Sequence, residues 1–216
     1  MVGVHLLLAR HGETIWNQEN RWQGQADITL SEVGIEQARS LALRLRKEGN
    51  PIAAVYTSPL ARALHTAEII AETLGLQSLP APLWCEMNIG VWSGLTTAEV
   101  IARHVKEWER LRAGEDLPRG GGETFAQFQG RILQGAELLA QRHPQERVVV
   151  VTHGGPIRTF LLHCRGLPVN RFREVEKIGN ASLTEVVFKR DEAIVYRVND
   201  LAHLETKTLS MKVVEA

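Results

Sequence analysis

Val148-Val149-Val150-Val151-Thr152-His153-Gly154-Gly155 is an apolar run that ends in histidine and opens into glycine; near the start of the chain Leu6-Leu7-Leu8-Ala9-Arg10-His11-Gly12-Glu13-Thr14 repeats that plan. Apolar runs of four to eight residues bounded by turn residues are the pattern of strands buried on both faces, which build parallel sheets covered by helices. In open sheets of this kind ligands sit beyond the carboxyl ends of the strands. Both histidines therefore fall where a substrate would be held, and they face each other if their strands are neighbours.

Working outward, Ser31 is a helix N-cap candidate before Ile35, Ala38, Leu41, Ala42 and Leu45 at helical spacing, and Gly49-Asn50-Pro51 stops that pattern. Ala53 to Thr57 reads as a second strand. Ser58-Pro59 then supplies a capping hydroxyl with proline at the first helical position, ahead of an apolar stripe from Leu60 to Leu74. Phe125, Phe128, Ile132, Leu133, Ala136 and Leu139 mark another helix, ending at His143-Pro144, and Ile157 to Cys164 a further one. Leu183 to Phe188 and Ile194 to Val198 flank Lys189-Arg190-Asp191-Glu192 as an antiparallel hairpin at one sheet edge. The sum is a three-layer α/β/α fold with a mainly parallel central sheet, an antiparallel edge strand and a partly helical lid insertion.

That insertion spans about residues 80–122, where periodicity weakens and Trp84, Trp92 and Trp108 concentrate. Long insertions in compact domains are commonly substrate loops, although such rings more often simply pack one layer on another. At 216 residues the chain is read as a single domain, 1–216. Lys+Arg and Asp+Glu both count 25, so no global field recruits nucleic acid or an anionic membrane, and any anion recognition is local. Cys85 and Cys164 lack metal or redox spacing, which fits a reduced, cytoplasmic setting. The first apolar stretch is broken by His5 and Arg10, well short of a membrane span or a signal segment.

Metal-free cleavage of a phosphomonoester needs a nucleophile for phosphorus, cations for the phosphoryl oxygens and a proton for the leaving alkoxide. His11 or His153 can serve as nucleophile, since a neutral imidazole forms a covalent intermediate that divides one hard step into two. Arg10 and Arg62 offer forked donors that keep their charge, and Gly154-Gly155-Pro156 opens a helix whose free N–H groups favour an anion. Two arginines and a protonated histidine would offset a phosphoryl group of about −1.5 to −2 charge. Glu86, between Trp84-Cys85 and Met87, is the best proton donor, with apolar neighbours expected to keep it protonated. Each residue alone has an ordinary structural reading, a hydrogen-bonded histidine or a surface ion pair. Their joint occurrence is what carries the chemistry.

The stretch Leu8 to Asn17 resembles the signature of the histidine phosphatase superfamily, typified by cofactor-dependent phosphoglycerate mutases. The match continues through Gln23-Gly24, Leu30 to Gly34, Thr57 to Ala63 with Thr66-Ala67, Glu86 with Gly90 to Gly94, Gly121 to Thr124, and Thr152-His153-Gly154, from about residue 4 to 200. The resemblance implies that His11 is phosphorylated, that Arg10, Arg62 and His153 complete the phosphate pocket, and that Glu86 is the proton donor. It further implies a phosphate contact from Asn17 and substrate proximity for Gln23 and Gly24. No metal or cofactor is implied. The partner is a small phosphorylated metabolite, with no nucleic acid and no membrane; a homodimer stays open.

Mutases of this family carry a longer insertion behind the glutamate, with an arginine and a tyrosine close by, whereas here Met87 to Gly94 is uncharged and Gly120 follows soon after. Water is thus favoured as final acceptor, placing the chain nearest the broad-specificity phosphatases acting on phosphoglycerates, phosphoserine, sugar phosphates or α-ribazole phosphate. The alternatives are a cofactor-dependent phosphoglycerate mutase and a catalytically silent phosphate-binding module, though no nucleophile, arginine or acid is damaged. A metallohydrolase would need ligand spacing absent from the sequence. Arg21 and Arg119 are candidates to meet a substrate carboxylate, and the tail around His203 is a candidate specificity element. Glu13 is assigned to orienting a neighbouring group, and Asn180-Ala181-Ser182 receives no role.

Overall fold

The computed structural model describes residues 3–189 and 192–205. In chain order its elements are β1 (Val4–Arg10), α1 (Ile15–Gln18), α2 (Glu32–Glu48), β2 (Ala54–Thr57), α3 (Ala61–Leu74) and β3 (Ser78–Pro80), then α4 (Thr97–Arg103), α5 (Val105–Arg112) and α6 (Phe125–Arg142). β4 (Arg147–Thr152), α7 (Gly154–Cys164), β5 (Leu183–Lys189) and β6 (Glu192–Asp200) complete the list. One six-stranded sheet runs in the order β3-β2-β4-β1-β5-β6. The four strands β3, β2, β4 and β1 are mutually parallel, while β5 runs against both β1 and β6. The antiparallel strand is thus second from the edge, and β6 forms the edge. The expected hairpin turn at Arg190-Asp191 lies outside the described residues.

The two glycine-ending strands are neighbours, in parallel register with Arg10 opposite Thr152. Alternation along them divides the core. Leu7, Ala9, Val149 and Val151 face α2 and α3, whereas Leu6, Leu8, Val148 and Val150 face the layer containing α6 and α7. These eight side chains are fully buried, so truncating a leucine such as Leu8 to alanine should cost about 2–5 kcal/mol. The three layers follow directly from strands apolar on both faces.

Local signals set most helix ends. Ser31 Oγ accepts from Gly34 N, and Gly49 closes α2 in the left-handed conformation with φ 68°. Thr124 and Gln127 cap α6 reciprocally. The start of α3 departs from expectation: Ser58 is not its cap and Pro59 is not its first residue. The helix begins at Ala61, whose N–H is taken by Asp27 Oδ1 at 2.8 Å, because the Ser58 hydroxyl is engaged elsewhere. Arg62 is consequently the second residue of α3.

Residues 80–122 fold over the α6/α7 side. Trp84 and Trp92 are buried, and Trp92 meets Trp22 and Trp108 at centroid distances of 5.6 and 6.2 Å. These rings pack the insertion onto the body. Helices α1, α4 and α5 and strand β3 are short and had no individual sequence expectation, although α1 and α4 are capped locally, by Thr14 with Asn17 and by Thr96 with Glu99.

Candidate active site

A cavity of about 860 Å³ opens at the carboxyl ends of β1 and β4. Arg10, His11, Asn17, Gln23, Gly24, Arg62, Glu86 and Gly154 line it, together with Trp22, Trp108, Arg119, Phe125 and Arg158. His153 does not. It is buried behind the wall, its ring 5.1 Å from that of His11.

Hydrogen bonds fix both imidazole tautomers. His11 Nδ1 lies 2.7 Å from the Gly12 carbonyl oxygen, which can only accept, so Nδ1 carries the proton and Nε2 keeps its lone pair. His153 is the reverse: Arg62 Nε donates to its Nδ1 at 3.2 Å, and its Nε2–H therefore donates to Ser58 Oγ at 2.8 Å. Ser58 passes its own hydroxyl proton towards Cys85 Sγ at 3.6 Å. Burial first, then Arg10 and Arg62, hold His11 well below the ordinary imidazole range. Burial first, then Arg62, His11 and Arg10, do the same to His153. Burial and the two guanidiniums thus press both rings towards the neutral form, against the protonated histidine expected from sequence.

Arg10 ends β1. Its NH1 donates to the Ile178 carbonyl at 2.6 Å, and its buried Nε has no partner among the described residues. Burial lowers its pKa to about 10, with Arg62 adding to the drop and Glu86 opposing it. Arg62 is fully buried and is held by the carbonyls of Ala26 and Gly24, both at 2.7 Å, besides His153. With five N–H donors, each terminal nitrogen of Arg62 retains one more. The Gly24 carbonyl thus serves Arg62, while Gly24 itself lines the cavity.

Glu86 projects from the insertion to the first turn of α7. Its Oε1 accepts from Met87 N at 2.8 Å and its Oε2 from Gly155 N at 3.1 Å. A Cβ on residue 155 would lie 2.1 Å from Oε1, so glycine there makes room for the carboxyl group. The expected apolar surroundings are replaced by two N–H donors and, farther off, the charges of Arg10 and Arg62.

Asn17 Oδ1 accepts from Thr14 N, Thr14 Oγ1 and Asn180 Nδ2 at 3.0–3.1 Å, which turns its own Nδ2 away from them as a spare donor. Gln23 donates from Nε2 to Thr14 Oγ1 at 2.8 Å, while its buried Oε1 has no partner among the described residues. Asn180 Nδ2 also reaches the carbonyls of His11 and Gly12, at 3.2 and 3.3 Å, and so ties the loop after β1 to Asn17. Ser58 and Asn180 were missed as site residues. Ser58 was read as a cap, and Asn180 sits 169 positions from the loop it holds, beyond any local signal.

Glu13 was expected to orient a neighbouring cation or backbone group; its carboxylate instead accepts from two neutral side chains, Gln18 Nε2 at 2.7 Å and Ser31 Oγ at 3.3 Å at the head of α2. Arg21 lines the cavity but is committed to Glu19, Glu99 and the Gly94 carbonyl. Arg119 forms no ion pair with the described residues and lies 5.7 Å from the Phe125 ring centroid, which leaves its charge available. His203 is not in the cavity wall; it donates from Nε2 to the Ala181 carbonyl and accepts from Arg44. Among the described residues no cluster of three His, Cys, Asp or Glu is placed to hold a metal ion. No helix among them is long and apolar enough to cross a membrane.

Two buried imidazoles thus lie beside the guanidiniums of Arg10 and Arg62, with the Glu86 carboxyl group in the wall of the same cavity. The chain belongs to the histidine phosphatase superfamily, branch 1, whose family model matches residues 6–201. It is 36% identical over 207 residues to the metal-independent phosphoserine phosphatase of Arabidopsis thaliana, covering 94% of this chain and 84% of that one. Phosphoglycerate mutase-like protein 4 of the same plant is 38% identical, covering 94% and 87%. Among solved structures, Entamoeba histolytica phosphoserine phosphatase in complex with 3-phosphoglyceric acid superposes with a TM-score of 0.83 at 29% identity, covering 93% of this chain and 99% of that one.

Proposed function

We propose that this chain is a metal-independent phosphatase of small phosphomonoesters, working through a phosphohistidine on His11. The observation that carries the reading is the Nδ1–H bond to Gly12, which leaves His11 Nε2 as a lone-pair nucleophile between Arg10 and Arg62.

In the first half-reaction Nε2 bonds to phosphorus while the bond from phosphorus to the leaving oxygen breaks, and the Glu86 proton goes to that oxygen. Arg10 Nε, the spare N–H groups of Arg62 and Asn17 Nδ2 take the phosphoryl oxygens, matching guanidinium to phosphate. In the second half, Glu86 as carboxylate takes a proton from water as the water oxygen attacks phosphorus. The N–P bond breaks, its electron pair returns to Nε2, and Glu86 is again protonated. His153 acts behind this cage by accepting from Arg62 Nε and so holding the guanidinium plane.

Residues 1–216 are proposed to form one domain, with 80–122 as a lid supplying Glu86, Trp92, Trp108 and Arg119 to the cavity. Similarity to a phosphoserine phosphatase, and a cavity lined by Arg119, support a phosphorylated metabolite bearing a carboxylate. The two cysteines are free thiols, which supports action in the reducing cytoplasm.

The test compares kcat/KM across phosphoserine, phosphoglycerates and sugar phosphates, with and without EDTA. Release of inorganic phosphate unaffected by chelator is the expected result. Isomerisation of phosphoglycerate outpacing phosphate release would instead make the chain a mutase, and loss of activity in EDTA would contradict the histidine route.

A further inference from the structure

Arg131 lies in the second turn of α6 and takes no part in the chemistry above, yet all five of its N–H donors are engaged around Glu86. NH1 donates to the carbonyls of Leu83 and Cys85 at 2.8 and 2.7 Å, and NH2 donates to the carbonyl of Glu86 itself at 2.9 Å. The remaining two donors go to Glu123, Nε to Oε1 at 2.7 Å and NH2 to Oε2 at 2.9 Å. Glu123 in turn holds the far side of the same segment: its Oε2 accepts from Asn88 N and its N–H donates to the Asn88 carbonyl, both at 2.8 Å. The Arg131 guanidinium also lies 4.8 Å from the Phe128 ring centroid, which fixes its plane.

We propose that Arg131, paired with Glu123, is a positioning residue for Glu86, fixing the backbone from Leu83 to Asn88 so that the carboxyl group meets the leaving oxygen. The inference rests on Glu86 being the proton donor. Its physical basis is that residues 83–88 are otherwise short 3-10 turns and loop, whose carbonyls have no ladder to join. A guanidinium is suited to this because its donors form one rigid plane, whereas a lysine ammonium is a point charge on a flexible stem. The carboxyl group is held from the other side by Met87 N and Gly155 N. Backbone displacement at 86 would pull it off the α7 terminus, and a misplacement of about 1 Å can cost about 100-fold in rate. Both sides must hold for the donor to stay over the cage.

Because a positioning role acts through Glu86, which in the first half-reaction only donates a proton, it has a signature in kcat/KM that a general structural role lacks. Glycerol 2-phosphate has a poor leaving group that needs the proton, and p-nitrophenyl phosphate has a good one that does not. For Arg131→Lys we expect kcat/KM, which ends at release of the leaving group, to fall about 10- to 100-fold on glycerol 2-phosphate, with less than about threefold loss of kcat/KM on p-nitrophenyl phosphate and unchanged vanadate affinity. Combining it with Glu86→Gln should add no further loss on glycerol 2-phosphate, since both changes remove the same contribution. Glu123→Gln, which leaves the three carbonyl contacts in place, should show a smaller loss of the same kind, and it decides the matter if Arg131→Lys does not fold.

Equal losses on both substrates, or additive losses in the double variant, would overturn the positioning role while leaving the Glu86 assignment intact. If Glu86→Gln alone lost both substrates equally, the donor assignment would fall, and this inference with it.

Discussion

Arg62 Nε donates to His153 Nδ1 across 3.2 Å, in a part of the molecule where both residues are fully buried. This bond requires a lone pair on Nδ1 and therefore a neutral His153 whose only proton is on Nε2. The second histidine thus orients an arginine, and the two guanidiniums supply the positive charge.

Ser58 completes that arrangement by accepting the Nε2 proton at 2.8 Å. Ser58→Ala should leave a buried donor unsatisfied, at about 1–3 kcal/mol of stability, and should weaken vanadate binding as Arg62 loses its fixed plane. Urea unfolding, vanadate titration and the nitrogen NMR shifts of His153 check this together. Unchanged vanadate affinity with unchanged His153 signals would show that Ser58 only fills space.

Acid should destabilise the fold through the two buried imidazoles. Both have folded-state pKa values depressed well below 6.5, chiefly by burial and then by the guanidiniums. As pH falls through about 6.5 the unfolded chain binds protons that the folded chain refuses, so stability drops, by up to about 1.4 kcal/mol per pH unit for each ring, until the folded pKa is reached. Urea unfolding from pH 7.5 to 5 should show this slope, and His153→Gln should roughly halve it. A profile flat through this range would contradict the neutral, buried assignment.

Gly155→Ala should damage the proton donor without touching the cage. The new Cβ would meet Glu86 Oε1 at 2.1 Å and displace the carboxyl group from the α7 terminus. The kcat/KM for alkyl phosphates should fall about 10-fold or more while that for p-nitrophenyl phosphate is largely spared. Steady-state kinetics on the two substrates reads this directly; parallel losses would mean that α7 itself had moved.

Gly12→Ala should be costly for a different reason. A Cβ there would sit 2.2 Å from the Gly34 carbonyl, where the nucleophile loop rests on the first turn of α2. Overpacking against backbone at that contact predicts at least about 1–3 kcal/mol lost in urea unfolding, and an unchanged midpoint would refute the close approach.

The sheet was legible because Leu6 to Ala9 and Val148 to Val151 are apolar at every position, which only a strand covered on both faces requires. The caps at Ser31 and Thr124 are local chemistry and could be read locally. What escaped reading acts over distance. Ser58 had the sequence appearance of a cap until His153, 95 positions away, claimed its hydroxyl. Asn180 and Arg131 work by gripping backbone carbonyls, and carbonyls are the same in every residue, so no side-chain pattern announces them. The charge on the histidines also escaped, because it depends on how deeply Arg10 and Arg62 are buried beside them.

The central claim is that His11 Nε2 becomes covalently bonded to phosphorus. The most direct measurement is to mix Glu86→Gln enzyme with p-nitrophenyl phosphate, quench rapidly in base and map phosphate by mass spectrometry. Cleavage of this ester needs little help from an acid, whereas attack by water loses its base, so the intermediate should accumulate. The account predicts stoichiometric, acid-labile phosphate on His11; phosphate on another residue, or turnover with none on the protein, would contradict it.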